Sequence, residues 1–433
     1  MADSKTTTDA AAAARDQDYS TQRLAQRYRF NDVNMDLFFL AALGWTAAGG
    51  LSVGEAFYIA GQIQDGSSAS WTAAFERQGG ILQKQADAWL AQDGGRKNKA
   101  LLRAAGETRL RAFCCFRSAW QFVVPGEQFV RIFRTSQALF SQAIAELGLP
   151  ATAFSVAYGG GQLPGHYFAA QPGKDNNSSS SSSNRAAPTI LILGGADTCH
   201  EDRFVSQGRL YWDRGYAVAL ADLPGQGLVQ AQNLFWEPEA DKPIAAVLDA
   251  LEAQFGVDRH RTALLGMSLG GYFVSKAAAA PDSLGLGAII ATPVLTRPEA
   301  LFSLATAGEE KKEQGKEEGD DKKKDDGEPS PAAANMAVLA WKAGIQSIEE
   351  LKDKWAGVVV DPANVQVPFL SVLGMQEGGM WKEQTQAWHD AIPSPKKKLL
   401  TLDAETGADV HCQANNLLRL VQEVDTFLQD LIW

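Results

Sequence analysis

Cysteine is scarce in this chain, with only four among 433 residues. Cys114 and Cys115 are adjacent, Cys199 and Cys412 stand alone, and none of the four has the spacing of metal ligands. A disulfide-stabilised scaffold and a cysteine-bound metal are therefore excluded. The sequence predicts a reducing, cytoplasmic location, and we expect neither a metal nor a cofactor.

An excess of positive charge and long hydrophobic runs are also missing. The formal net charge is −11, whereas nucleic acids and anionic membranes select a basic protein surface. No apolar stretch reaches transmembrane length, and the N-terminus lacks the apolar core of a signal peptide. These absences argue against nucleic-acid and membrane partners. A small-molecule substrate is the expected partner, with homo-oligomerisation left open.

Hydrophobic residues make up 45% of the chain, enough for a full core, and their pattern divides it into three parts. Residues 1–18 are polar and rich in alanine and threonine, which predicts a disordered tail. Residues 19–149 carry apolar residues at helical spacing and predict a helical, cap-like domain. Residues 150–433 predict a mixed α/β domain, with low-complexity inserts at 172–187 and 308–332 that lack the apolar residues needed for burial.

Short apolar runs alternate with helix-like segments in the last of these parts. A hairpin is predicted around Ala153–Tyr158 and His166–Ala169. Helices are expected at Arg203–Arg214, Ile244–Phe255 and about Asn415–Leu431. Further strands are predicted at Thr189–Leu193, at Ala217–Ala221, just before Ser268, at Gly287–Ala291, at Pro368–Leu373 and at Lys398–Leu402. This alternation is typical of a largely parallel, doubly wound sheet.

The segment Gly266-Met267-Ser268-Leu269-Gly270-Gly271 follows one of these strands and precedes a helix-like run. A serine hydroxyl is a weak nucleophile and must project from a sharp turn to meet a base. Gly266 and Gly270 would relieve the crowding in such a turn. The sequence therefore predicts Ser268 as a catalytic nucleophile, and the alternative is an ordinary strand–turn–helix connection.

Five histidines are available as the base. In a doubly wound sheet with a G-x-S-x-G nucleophile, the acid and then the histidine follow the serine along the chain. Three histidines precede Ser268, and of these His200 is expected at the edge of the cleft. His389 lies within a helix-like segment. His411 lies in the loop between the last strand and the closing helix, at the carboxyl edge of the sheet, and is the predicted base.

The carboxylate that orients the base is expected after the strand that ends at Gly374, and Glu377 occupies this position. Asp403, at the end of the last strand, is the alternative. Asp409 is too close to His411 along the chain to orient it easily. Glu377 is thus the predicted acid, with Asp403 left open.

Backbone N–H groups are expected to hold the oxyanion. One belongs to Leu269, beside the nucleophile, and the other to the loop after the first parallel strand, at Ala196 or Gly195. The segment 222–227, Asp-Leu-Pro-Gly-Gln-Gly, predicts a tight turn without a catalytic role.

Four segments of the chain resemble those of one known family: Gly195-Ala196-Asp197-Thr198, Asp222-x-Pro224-Gly225-x-Gly227, Gly266-x-Ser268-x-Gly270-Gly271 and Gly407-Ala408-Asp409-Val410-His411-Cys412-Gln413. They look like those of α/β-hydrolases with an N-terminal helical domain. This group includes fungal polyketide-tailoring hydrolases and, more distantly, 2,6-dihydropseudooxynicotine hydrolase. The resemblance covers nearly the whole chain. It implies an α/β-hydrolase fold whose helical domain lies over the carboxyl edge of the sheet, with Ser268 as nucleophile and His411 as base. An aspartate is the commoner acid in this fold, so Glu377 is a departure.

The expected function is that of a serine hydrolase acting on a small, apolar carbonyl compound. The resemblance implies a tailoring step in fungal polyketide or polyketide–peptide biosynthesis, namely C–C or ester cleavage, or ring closure. The alternatives are a general carboxylesterase, a peptidase with a helical cap, and a non-catalytic ligand-binding protein on the same fold.

Overall fold

The N-terminal part of the chain is helical. The computed structural model describes residues 23–431 except 25, 93, 95, 172–185, 301–326 and 347. The predicted tail at 1–18 and most of both predicted inserts lie outside the described residues. The α-helices described before the sheet are α1 (Val33–Gly44), α2 (Val53–Ala60), α3 (Ser68–Leu90), α4 (Lys99–Ala119) and α5 (Glu127–Leu147).

Local sequence signals set the ends of these helices. The Ser52 hydroxyl accepts the N–H of Glu55 while the Glu55 carboxylate accepts the N–H of Ser52, a capping box that begins α2. The Asn98 side chain caps the start of α4 by accepting the N–H groups of Ala100 and Leu101. Gly148, with a φ of 63°, ends α5 in the left-handed conformation that glycine favours.

Close packing of helix on helix fills the interior of this region. A Cβ on Gly79 of α3 would lie 2.7 Å from the Phe116 ring of α4, so the glycine allows the two helices to approach closely. Trp120, after α4, packs on Phe129 and Phe133 of α5 with ring centroids 5.4 and 5.3 Å away. These aromatic side chains therefore form core rather than a binding surface.

An eight-stranded sheet follows α5. Its strands are β1 (Ala151–Tyr158), β2 (Gly161–Phe168), β3 (Thr189–Leu193), β4 (Ala217–Ala221), β5 (Thr262–Met267), β6 (Ala288–Thr292), β7 (Phe369–Gly374) and β8 (Lys397–Leu402). Their order is β1-β2-β4-β3-β5-β6-β7-β8. The β1–β2 hairpin is antiparallel and pairs antiparallel with β4, and the neighbours from β4 to β8 are parallel. The chain reverses its direction across the sheet between β3 and β5, and ligands of such sheets bind at this switch point.

The remaining helices are α6, α7 (Asp241–Phe255), α8 (Leu269–Ala279), α9 (Pro331–Ala343), α10 (Ile348–Trp355), α11 (Gly379–Ala391) and α12 (Leu417–Gln429). Helix α6 comprises α-helical His200–Arg203, a π-helical turn Phe204–Gly208 and α-helical Arg209–Trp212. The prediction of a single helix at Arg203–Arg214 is therefore wrong in two respects, because the helix begins at His200 and a π-helical turn interrupts it. The start is earlier because the Asp202 carboxylate accepts the N–H of Cys199, which caps the first turn. No helix in the described ranges is both long and apolar enough to span a membrane.

Side chains of the sheet alternate between two apolar layers. Ile190 and Ile192 of β3 pack in one core with the N-terminal helices, α6 and α12. Leu191 and Leu193 pack on the opposite face with α7, α8 and α11. The helical region and one face of the sheet thus share a continuous apolar core.

Candidate active site

Ser268 occupies a sharp turn between β5 and α8. Its φ and ψ are 56° and −121°, values that residues with a Cβ seldom adopt, so the backbone is strained at the predicted nucleophile. A Cβ on Gly266 would lie 2.1 Å from the carbonyl oxygen of Gly270, and one on Gly270 would lie 2.7 Å from that of Gly194. The turn therefore requires both glycines of the motif.

The structure brings Ser268, His411 and Glu377 together from three separate loops. Nε2 of His411 lies 3.0 Å from Oγ of Ser268. Nδ1 of His411 lies 3.3 Å from Oε2 of Glu377, and neither of these two buried atoms has a hydrogen-bond partner elsewhere among the described groups. The other carboxylate oxygen of Glu377 accepts the N–H of Gly374 at the end of β7. Such an arrangement can serve as nucleophile, base and orienting acid.

Burial and charge act in opposite directions on His411. Burial by itself would lower the pKa of its imidazole, but Cys412 and the carboxylate of Glu377 outweigh burial and raise this pKa above its usual value of 6.5. Glu377 is fully buried and His411 is only 5% exposed, so little water screens the carboxylate. The pair therefore stabilises the imidazolium, the form that a histidine base takes after accepting a proton.

The alternative acids make other contacts. Asp403 accepts the N–H of Thr406 through Oδ1 at 3.1 Å and so closes its own turn. Asp409 accepts a hydrogen bond from the side chain of Gln376 at 2.7 Å. Of these carboxylates, Glu377 is the one that the structure places beside the imidazole.

Backbone N–H groups are available on two sides of Ser268. Leu269 is the first residue of α8, so its N–H has no acceptor within the helix. Gly195 lies against Ser268, because a Cβ added to Gly195 would be 2.9 Å from Cβ of Ser268. Gly195 lines the cavity in front of Ser268, whereas the neighbouring Ala196 is absent from its described lining. Of the two residues predicted as donors in this loop, Gly195 is thus the one that lines the cavity.

Ser268 and His411 open onto a cavity between the helical region and the carboxyl edge of the sheet. Its empty space, including the open mouth, is about 780 Å³. Its apolar wall comprises Leu37, Phe38, Ala41, Trp45, Trp71, Met267 and Leu417. Besides Ser268 and His411, eight polar or charged residues also line it, among them Arg23, Arg117 and Arg203. The N-terminal helices thus contribute one wall, and the lining suits a mainly apolar molecule with a few polar atoms.

Comparison with known proteins reveals fungal relatives. No protein-family model matches the chain. The hydrolase pyiE of Pyricularia grisea is 30% identical over 251 residues, which are 54% of this chain and 53% of that protein. The 20-hydroxy-prefusarin hydrolase FUS2 of Gibberella moniliformis is 29% identical over 252 residues, which are 56% of this chain and 57% of that protein. The alpha/beta hydrolase xenA of Xenoacremonium sinensis is 29% identical over 255 residues, 55% of each protein. The matches thus span little more than half the length of these relatives.

A solved structure extends the likeness to the helical region. The crystal structure of 2,6-dihydroxy-pseudo-oxynicotine hydrolase superposes with a TM-score of 0.66 at 17% identity, covering 90% of this chain and 95% of the other. The chain has the α/β-hydrolase fold. The predicted combination of a hydrolase sheet with N-terminal helices is confirmed, and so is the resemblance to fungal secondary-metabolite hydrolases.

Within this α/β-hydrolase fold, sequence reasoning missed a buried ion cluster at the cavity wall. Nε of Arg117, on α4, and Nε of Arg203, on α6, each donate to the carboxylate of Asp202 at 2.6 Å. The Arg117 guanidinium also stacks on Trp120, 3.9 Å from the ring centroid. Arg117 and Asp202 are 85 residues apart in the chain. Because an arginine within a helical pattern gives no sign of its partner, the sequence offers no signal for this contact.

A second cluster of titratable side chains is centred on His200, at the start of α6. Nδ1 of His200 is 2.8 Å from Oδ2 of Asp222 and 3.4 Å from Oε2 of Glu201, and its Nε2 is 3.0 Å from Nδ1 of His166. His200, Glu201 and Asp222 offer three atoms within 4.8 Å of one another, a spacing that a metal ion can use. Burial would lower the pKa of His200, but Glu201 and Asp222 raise it to about 9. A protonated His200 thus already pairs with both carboxylates, so the cluster is explained as an ion network. His200 lies outside the described lining of the cavity, contrary to expectation.

Proposed function

We propose that this protein is a serine hydrolase in which Ser268 is the nucleophile, His411 the general base and Glu377 the orienting acid. The observation that carries the proposal is the strained turn at Ser268, whose Oγ lies 3.0 Å from Nε2 of His411 and opens onto an apolar cavity. The N–H of Leu269, together with that of Gly195 or Ala196, would hold the oxyanion.

The reaction begins when Oγ of Ser268 attacks the substrate carbonyl carbon and its proton passes to Nε2 of His411. The carbonyl π electrons move to the oxygen, which becomes an oxyanion held by the backbone N–H groups. The bond to the leaving group then breaks, and His411 returns the proton to that group. Water, or a nucleophile within the substrate, attacks the acyl-enzyme in the second half and releases Ser268. Glu377 stabilises the imidazolium in both halves.

The substrate is a small, mainly apolar carbonyl compound. Support comes from the apolar wall of the cavity, with Phe38, Trp45 and Trp71, and from the names of the relatives, one of which is a hydrolase of 20-hydroxy-prefusarin. We place the reaction among the tailoring steps of fungal polyketide or polyketide–peptide biosynthesis, in the cytoplasm. Ester cleavage, C–C cleavage and ring closure share the same nucleophile, base and oxyanion donors.

The nucleophile is tested by labelling the folded protein with an alkyl fluorophosphonate and locating the adduct by mass spectrometry. We expect one adduct, on Ser268, and none in Ser268→Ala. The matched control is Ser275→Ala, because Ser275 lies in α8 as well and is buried, but its hydroxyl donates to the carbonyl of Gly271. Folded wild-type protein that stays unlabelled would contradict the serine-hydrolase proposal and favour a ligand-binding role.

The substrate class is tested with p-nitrophenyl esters of increasing acyl length. We expect kcat/KM to rise with apolar acyl length, and Ser268→Ala to lose at least about 10³-fold in rate. A flat profile that includes short, polar acids would indicate a general carboxylesterase instead.

A further inference from the structure

The five carbonyl groups of the loop that follows β3 are all engaged by hydrogen-bond donors. This loop, residues 194–198, holds the second expected oxyanion donor. Nε2 of Gln226 donates to the carbonyls of both Gly194 and Gly195. Nζ of Lys342 donates to the carbonyl of Ala196, and Nη2 of Arg117 donates to the carbonyl of Asp197. The N–H of Gly227 donates to the carbonyl of Thr198, and all five distances lie between 2.7 and 3.1 Å. These donors come from three distant segments: the 222–227 turn, α9 and α4. The Thr198 hydroxyl, within the loop, also donates to the Gly195 carbonyl at 3.2 Å. These hydrogen bonds therefore fix the orientation of the peptide groups in the loop.

Gln226 makes the two contacts nearest the nucleophile. Its side-chain nitrogen lies 2.7 Å from the carbonyl oxygen of Gly194 and 3.0 Å from that of Gly195. Its side-chain oxygen accepts the N–H of Leu223 at 2.9 Å, so the amide can present only its NH₂ group to the loop. Gln226 is 1% exposed, so little water is present to replace these bonds.

The direction of these carbonyls sets the direction of the neighbouring N–H groups. In a trans peptide the C=O of one residue and the N–H of the next point to opposite sides. Since Gln226 holds the carbonyls of Gly194 and Gly195, the N–H groups of Gly195 and Ala196 point away from Gln226. The cavity lies on that other side, because Gly195 lines it beside Ser268 while Gln226 lies outside its described lining.

We propose that Gln226 is a positioning residue for the oxyanion hole, which orients the N–H groups of Gly195 and Ala196 toward the cavity. The inference rests on the proposed serine-hydrolase function and deepens it. It also gives the Asp222–Gly227 turn, predicted to have no catalytic role, a share in the reaction through the neighbouring loop.

The test is the rate at which an alkyl fluorophosphonate phosphonylates Ser268 in Gln226→Met. Methionine keeps the length and volume of glutamine but donates no hydrogen bond. The maximal rate constant and the half-saturating probe concentration are measured separately. Loss of one oxyanion donor lowers kcat by about 10²–10³-fold in other serine hydrolases. We therefore expect misdirection of the Gly195 and Ala196 N–H groups to lower the maximal rate constant at least about tenfold. The half-saturating concentration should stay within twofold, because no residue of the cavity wall changes.

Gln230→Met is the matched control. Gln230 is 2% exposed, lies four residues further along the chain and donates through Nε2 to the carbonyl of Gly227 rather than to the loop. We expect its maximal rate constant to equal that of the wild type. Because molecules that have unfolded irreversibly lower the amount of labelling and not the rate constant of the folded molecules, loss of such a fraction from either variant does not imitate the effect.

The isosteric variant Gln226→Glu provides a second test. An ionised glutamate has no proton to donate to these carbonyls, whereas a protonated one restores a single O–H donor, so its rate relative to the wild type should rise as pH falls. The proposal is overturned if Gln226→Met reacts at the wild-type rate, if Gln230→Met slows equally, or if the Gln226→Glu ratio is independent of pH. Absence of labelling in the wild type would instead count against the serine-hydrolase function.

Discussion

Nε of Arg117 lies 2.6 Å from Oδ2 of Asp202, and this contact joins α4 of the helical region to α6, the helix that follows β3. The side chains of Arg117 and Asp202 are 4% and 0% exposed. Burying two charges is costly unless their geometry is good and further partners are present, and here Arg203 is the second partner of Asp202. We therefore expect this contact to set where the helical region docks on the sheet.

Removal of Asp202 should destabilise the protein more than removal of Arg117. Asp202→Asn leaves two buried guanidinium groups without their carboxylate, and we expect the free energy of unfolding to fall by about 3–5 kcal/mol. Arg117→Met leaves Asp202 paired with Arg203 and should cost less. Urea denaturation of the two variants measures the difference, and a larger loss in Arg117→Met would contradict this account.

The acid of the proposed triad can be identified by comparing Glu377→Gln with Asp403→Asn. The first removes the charge beside His411 and should lower kcat by about 10³–10⁴-fold. The second removes a charge from the turn closed by Thr406 and should leave kcat within a few-fold of the wild type. Comparable losses in the two variants would argue against Glu377 as the acid.

The pH dependence of the same variants follows from the pKa of His411. The base must be neutral to accept a proton, so activity is lost as pH falls through this pKa, which lies above 6.5. Glu377→Gln removes a carboxylate that favours the imidazolium, so the acid limb of its residual kcat/KM profile should move to lower pH. An unchanged or more alkaline limb would show that Glu377 does not control His411.

Two adjacent glycines in α3 should respond oppositely to alanine. A Cβ on Gly79 would lie 2.7 Å from the Phe116 ring, so Gly79→Ala should lower the free energy of unfolding by about 1–3 kcal/mol. A Cβ on Gly80 would meet no atom within 4 Å, so Gly80→Ala should raise the free energy of unfolding by about 0.5–1 kcal/mol. Denaturant titrations measure both, and a stabilised Gly79→Ala would refute the close helix contact.

The helical wall of the cavity should limit the size of the substrate. Ala41→Phe places a large side chain in the cavity, and we expect it to reduce labelling by a long-chain fluorophosphonate far more than by a small one. Ala73→Phe, at an exposed position of α3, is the control and should change neither rate. Equal effects on the long and the small probe would show that Ala41 does not bound the substrate site.

The fold was largely predictable because its signals are local and repeated. Alternation of short apolar runs with helix-like segments located β3 and β4 to the residue and the other parallel strands to within one or two. The π-helical turn in α6 was not predicted, since its residues read as an ordinary amphipathic helix. The helical spacing of the apolar residues in 19–149 predicted helices, but this spacing does not indicate which of the aromatic side chains line the cavity.

The sequence by itself determined the strained turn at Ser268, because the steric demand for Gly266 and Gly270 acts within a few residues. It also determined the topological place of His411, since chain order fixes which loops open at the carboxyl edge of a parallel sheet. Only the tertiary structure decided that Glu377 rather than Asp403 lies beside His411. It alone paired Arg117 with Asp202, and Gln226 with the loop at Gly194. These partners lie tens of residues apart, and packing rather than local backbone preference brings such side chains together.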